Sequence, residues 1–139
     1  MDYQKLAEYR NANNPYSGRQ GIFVEEIRLG YARAAKTVGP EDLNPAKVPH
    51  GGVYFVLADT ACAAAAFSHG NAIVTVNCDF SFLGRASLGD HLTAEATEVQ
   101  RGQVFGVYDV KVTNQDGTLL SKGSFTMYQL PQRAADTNP

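Results

Sequence analysis

Tryptophan is missing from the 139-residue sequence, cysteine and methionine occur only twice each, and no stretch concentrates charge of one sign. Each shortage excludes something. The two cysteines, Cys62 and Cys78, match neither a disulfide framework nor a metal-ligand spacing. Both stand in apolar segments and read as buried thiols. With no Lys/Arg cluster and a formal net charge of -2, no basic face is available to neutralise phosphates, so nucleic acid is not an expected partner. Long apolar runs are lacking too. The most apolar one, Val53 to Leu57, is cut short by Asp59, far below the ~20 residues of a membrane span. Met1-Asp2-Tyr3-Gln4-Lys5 holds no signal-peptide apolar core, and the expected location is the cytoplasm. Neither a metal nor a cofactor is expected.

What is present fits one globular domain over residues 1–139: 44% of residues are hydrophobic and 19% charged, enough apolar content for a core without staples. Residues 1–20 predict an N-terminal helix (Tyr3 to Arg10, with Tyr3, Leu6 and Tyr9 at i, i+3 spacing) and a loop over Asn11 to Gly18. Ile22 to Leu29 and Ala32 to Val38 read as strands around Gly30-Tyr31. After an irregular segment, Gly39 to Pro49, the run His50 to Phe67 shows no alternation. Its Ala and Leu content and its length predict a helix, apolar nearly all round and therefore buried. Four strands follow. In the first, Val74, Val76, Cys78, Phe80 and Phe82 alternate with polar residues, predicting one packed and one polar face. The others are His91 to Val99, Val104 to Thr113 and Thr118 to Leu130, and residues 131–139 read as a polar, frayed tail. An apolar helix in an otherwise strand-rich chain needs a surface that wraps it. The expectation is an α+β fold with one curved antiparallel sheet around a central buried helix.

Chemistry concentrates at the start of that helix. Gly51-Gly52 opens it without side chains, leaving unpaired N–H groups and the positive end of the helix dipole free to meet a developing oxyanion. A Gly pair before a helix is, however, often only a turn. Asp59 is a carboxylate inside an apolar helix, where burial without a partner costs several kcal/mol. It is either a general base or nucleophile, or a group that reaches solvent or bonds backbone. Asn44 and His50 lie just before the helix, close in sequence to Gly51.

Asn44, His50-Gly51-Gly52 and Leu57-Ala58-Asp59-Thr60, at this spacing, resemble the motif of hotdog-fold acyl-CoA thioesterases, specifically the phenylacetyl-CoA branch. The likeness continues through Val74-Thr75-Val76, Phe80 to Ala86 and Gly89-Asp90. It implies a hotdog fold and hydrolysis of an acyl-CoA, with CoA entering only as part of the substrate. Asp59 would activate water or attack the thioester, and the Gly51 amide would polarise its carbonyl. Asn44 and His50 would order the water or the loop, and Gly52 and Thr75 would line the site. Arg85 falls where relatives contact the nucleotide end of CoA. Ala63, four residues past Asp59, lacks the hydroxyl that some aryl-CoA relatives carry.

Gly51 and Asp59 stand eight residues apart, ~12 Å along one helix. A single carbonyl cannot touch both, so a site using both needs two chains. The expectation is a homo-oligomer, a dimer or a dimer of dimers, with sites at the subunit interface. Two other functions stay open: a non-catalytic acyl-CoA-binding module, and an enoyl-CoA hydratase of the same fold. Asp42-Leu43-Asn44-Pro45 echoes the hydratase motif, but Ala46-Lys47-Val48-Pro49 intervene before His50, where hydratases place one residue.

Overall fold

The computed structural model describes residues 1–133 and builds them around the alanine-rich helix. Two short N-terminal helices, α1 (Tyr3–Ala12) and α2 (Pro15–Arg19), precede strands β1 (Phe23–Arg28) and β2 (Tyr31–Thr37). One 3-10 turn (Pro40–Asp42) leads to α3 (Gly51–Phe67). Strands β3 (Asn71–Phe82), β4 (His91–Arg101), β5 (Phe105–Thr113) and β6 (Leu119–Arg133) complete the chain. All strand pairs are antiparallel, in the order β1-β2-β4-β5-β6-β3. The sheet curls around α3, which is the hotdog arrangement.

Small side chains set the distance between helix and sheet. Ala58, Ala61 and Ala64 of α3 and Ala32, Ala34, Ala94 and Ala96 of β2 and β4 are all fully buried. Alanine on alanine lets the helix sink close to the strands at no side-chain entropy cost. Larger groups, Leu57, Leu92, Phe125 and Met127, close the ends of this core, each burial being worth about 1.5–3 kcal/mol. Register shifts at Val24/Glu26, Thr75/Asn77 and Glu98/Gln100 add the curvature that wrapping requires.

The two sheet edges are treated differently. At β1 the side chain of Asn11 imitates a neighbouring strand: its amide donates to the Val24 carbonyl at 2.9 Å and its carbonyl accepts the Val24 N–H at 2.7 Å. That side-chain pairing shields the edge. Among the described residues β3 has no such cover, and Val74, Val76 and Phe82 are 48%, 53% and 57% exposed.

Several expectations need correction. The segment Asn11 to Gly18 is not all loop, because Asn14 accepts from the Ser17 N–H and Pro15 occupies the first position of α2. The alternation in β3 is broken. Two β3 residues, Thr75 and Val76, oppose one β6 position, so Thr75 faces inward beside Met127 while Val74 pairs with Tyr128 on the outer face. Cys78 is exposed rather than buried, since β3 is an edge strand, whereas Cys62 is buried. Helix α3 is not covered all round: Gly51, Gly52, Phe55, Val56 and Asp59 form a stripe left partly open to solvent. The tail is strand to Arg133, where a register shift between Asn71 and Ile73 accommodates Pro131. Its last six positions, 134–139, lie outside the described residues. Among the described residues, no helix is long and apolar enough to cross a membrane.

Candidate active site

The first turn of α3 is built by His50. Its ring Nδ1 accepts the Gly52 N–H at 2.9 Å, and its carbonyl accepts the Val53 N–H at 2.9 Å. An accepting Nδ1 leaves the proton of the neutral imidazole on Nε2. With Gly52 thus satisfied, the N–H of Gly51 is the one at this helix end without a partner among the described residues. Both glycines sit close to a neighbouring side chain, which a Cβ would push aside by a few tenths of an ångström. A Cβ on Gly51 would lie 3.3 Å from the Phe82 ring, and one on Gly52 would lie 3.1 Å from His50 Nδ1.

The loop before the helix is held from two sides. Asn44 Oδ1 accepts the N–H groups of Ala46 at 2.9 Å and Val48 at 3.3 Å, closing a turn in which Lys47 takes φ 62°. Beneath it, Lys36 and Asp42 form an ion pair at 3.0 Å, with side chains 5% and 4% exposed. Lys36 also donates to the Gln20 carbonyl. The Asp42 carboxylate accepts the Gly39 N–H at 2.7 Å, and its backbone carbonyl accepts the His50 N–H at 2.9 Å. A buried ion pair with additional backbone bonds therefore fixes where α3 begins.

Two turns further along, half-buried Asp59 meets β3. Thr75 Oγ1 donates to Asp59 Oδ1 at 2.6 Å, a short charge-assisted bond. The β3 bulge aims the threonine inward at this position. Asp59, Ala63 and Phe67, at i, i+4 spacing, form one wall of a cleft of about 770 Å³; Thr75 and the start of β3 form another. Tyr9 and Arg10 of α1, with Asn13 and Asn14, close it. The Tyr9 and Phe67 rings stack 5.8 Å apart, and the Arg10 guanidinium lies 5.1 Å above the Phe67 ring. Burial lowers the Arg10 pKa from its ordinary value, with Asp59 acting in the opposite direction. The buried Cys62 thiol is pushed well up, first by burial and then by Asp59 and Asp109. Among the described residues no His, Cys, Asp and Glu cluster is arranged to hold a metal.

The chain thus places its candidate residues in two groups. Asp59 and Thr75 share the cleft. Asn44, His50, Gly51 and Gly52 gather at the helix start, where the Ala86 N–H bonds the Tyr54 hydroxyl at 2.9 Å and brings the segment carrying Arg85 alongside. The cleft lined by Asp59 does not reach Gly51. Sequence reasoning missed Tyr9, Arg10 and Phe67 as cleft residues. Tyr9 and Phe67 read as ordinary apolar helix positions, and only the tertiary packing of α1 against the end of α3 brings them together with Arg10.

The chain is similar to known proteins in both sequence and fold. The family model described as the thioesterase superfamily matches residues 47–121. The acyl-coenzyme A thioesterase PaaI of Escherichia coli is 41% identical over 95 residues, 68% of each chain. The solved E. coli PaaI protein of the phenylacetic acid degradation operon superimposes with a TM-score of 0.89 at 32% identity, covering 94% of both chains. A thioesterase-class protein of Streptococcus pneumoniae, solved with coenzyme A, gives a TM-score of 0.77 at 32% identity over 81% of this chain and 91% of that one. In solved variants of that protein, alanine replaces an aspartate and, separately, a threonine sixteen positions later. The same interval separates Asp59 from Thr75.

Proposed function

The chain belongs to the thioesterase superfamily, in the branch of PaaI-like acyl-CoA thioesterases, and from that premise we propose that Asp59 brings water to the thioester carbonyl in a site shared by two chains. The observation that carries this is the Thr75–Asp59 bond of 2.6 Å at the wall of the cleft. It holds one carboxylate oxygen in place and leaves Oδ2 for the reaction. The cleft takes the acyl group, and Arg85, on the strength of the family resemblance alone, meets the nucleotide end of CoA.

Hydrolysis adds the water oxygen to the carbonyl carbon, and Asp59 takes the proton. The carbonyl oxygen becomes an oxyanion, for which the unpaired Gly51 N–H and the positive end of the α3 dipole are suited. Collapse breaks the C–S bond. CoA leaves as a thiolate that recovers the proton, and the acid is released. A route in which Asp59 itself attacks, forming an anhydride that water then cleaves, uses the same groups. His50 and Asn44 act through position, by capping α3 and by closing the loop that presents Gly51.

Association has its own support. Asp59 and Gly51 cannot meet one carbonyl from the same helix, and the open stripe of α3 borders the uncovered β3 edge. Two copies related by a two-fold axis would pair β3 with β3 and cover both.

The test is thiol release from a panel of acyl-CoAs by the wild type and by Asp59→Asn. The expected result is hydrolysis by the wild type and a fall in kcat of ~10²-fold or more in a folded Asp59→Asn protein, the loss expected for a general base or nucleophile. Near-normal turnover by Asp59→Asn would assign Asp59 a structural role. Tight acyl-CoA binding with no thiol released would favour a binding module, and hydration of an enoyl-CoA would favour a hydratase.

A further inference from the structure

Arg10 is the unexplained group in the cleft. It carries a fixed positive charge, yet among the described residues its Nε is buried with no hydrogen-bond partner and the side chain joins no ion pair. A buried, unpaired donor on a cation is costly and calls for a partner, and one that faces a substrate cleft can find it in a ligand. The Phe67 ring lies 5.1 Å from the guanidinium carbon, and Asp59 favours the charge from a distance, but neither supplies an acceptor to the buried Nε.

The position of Arg10 gives the partner its dimensions. Asp59, Ala63 and Phe67 run along one face of α3, and Asp59 and Phe67 lie ~12 Å apart at ~1.5 Å per residue. A thioester carbonyl at Asp59 would therefore have its acyl chain laid along small Ala63, ending between Phe67, Tyr9 and Arg10. At roughly 1.25 Å of advance for each ~1.5 Å C–C bond, that length is about eight to ten carbons. The middle of the path is apolar, through Ala63, Ala72 and Ile73, and its end is cationic.

Resting on the thioesterase reading above, we propose that Arg10 is a specificity-determining residue selecting acyl groups that end in a carboxylate, such as the mono-CoA thioesters of medium-chain dicarboxylic acids. A carboxylate at the chain end supplies the acceptors the guanidinium fork lacks.

The experiment compares kcat/KM for the mono-CoA thioesters of hexanedioic, octanedioic and decanedioic acids with hexanoyl-, octanoyl- and decanoyl-CoA. Both the wild type and Arg10→Met are measured, because methionine retains an unbranched apolar stem without the charge. In the wild type the eight- or ten-carbon dicarboxylic substrate should exceed its neutral counterpart by about tenfold or more, a typical gain for a charge-assisted bond. In Arg10→Met that preference should vanish, the ratio of kcat/KM for carboxylated over neutral substrate falling to about one. Preference for neutral acyl groups in the wild type, or a carboxylate preference that survives Arg10→Met, overturns the proposal. So does an Arg10→Met protein that dissociates and loses both substrates equally, which would make Arg10 an interface group. If the wild type cleaves no thioester, the reading beneath fails separately, and calorimetric titration with octanedioic acid still decides the Arg10 site. Binding to wild type but not to Arg10→Met supports it, and binding to neither rejects it.

Discussion

Replacing Thr75 with valine keeps the β-branched shape that suits strand β3 and removes only the hydroxyl that donates to Asp59 Oδ1 at 2.6 Å. The second neighbour of that hydroxyl, Met127 Sδ at 3.4 Å, is a weak acceptor. The cost therefore falls on the carboxylate. A hydrogen bond to a charged group contributes ~1.5–3 kcal/mol when buried. Thr75 is exposed and Asp59 half-buried in the single chain, so screening by solvent reduces this to ~1–2 kcal/mol. If the bond orients Asp59 for reaction, that energy appears in the barrier, and at ~1.4 kcal/mol per tenfold it corresponds to a fall in kcat of ~5- to 30-fold. KM should move little, because the carboxylate acts on water rather than on substrate binding. Thr75→Ser, which restores the donor, should recover most of the rate. The assay is continuous thiol release over a range of acyl-CoA concentrations, with a thermal melt to show that the fold is intact. An unchanged kcat in Thr75→Val, or a loss carried entirely by KM, refutes the positioning role.

Further outcomes follow from the same geometry. Cys62 should resist alkylation in the native protein, being buried with its thiol pKa raised. Cys78, exposed on the free edge of β3, should react quickly in isolated chains and slowly once β3 pairs with a second copy, a contrast that mass spectrometry of labelled protein at varied concentration reads directly. Equally fast labelling at all concentrations would place the interface elsewhere. Lys36→Met strands Asp42 in a buried site and should lower the unfolding free energy by about 3 kcal/mol, in the range measured when one member of a buried ion pair is removed. Denaturant titration measures this, and a loss under about 0.5 kcal/mol, the ordinary range of surface substitutions, would mean that the pair is not what holds the loop before α3.

Much of this architecture is written locally. The alanine and leucine content of His50 to Phe67 specifies a helix with no competing strand pattern, and the paired strands after it are punctuated by Gly102 and by Asn114 to Gly117 turns. The first half of the site was legible for a related reason. Gly51, Gly52 and Asp59 each violate helix preference, and such violations mark functional positions. What could not be read depends on tertiary context. An alternating sequence gives no sign of the bulge at Thr75 and Val76, so by pattern alone Val74 and Phe82 fall on the same face of β3. Asn14-Pro15 serves equally as a turn and as a helix start. Arg10 reads as an ordinary polar residue at the end of a surface helix until α1 lays it over Phe67.

The most direct test of the shared site is complementation between two inactive proteins. Asp59→Asn chains and Gly51→Val chains, each first checked for a native melt because a side chain at Gly51 presses on Phe82, are mixed under conditions that exchange subunits. In a two-fold dimer, each mixed pair holds one site with both lesions and one with neither. Random exchange makes half the dimers mixed, so about a quarter of wild-type thioesterase activity should return. No recovery, with exchange confirmed by mass spectrometry, would contradict the account and place both groups in sites built from a single chain.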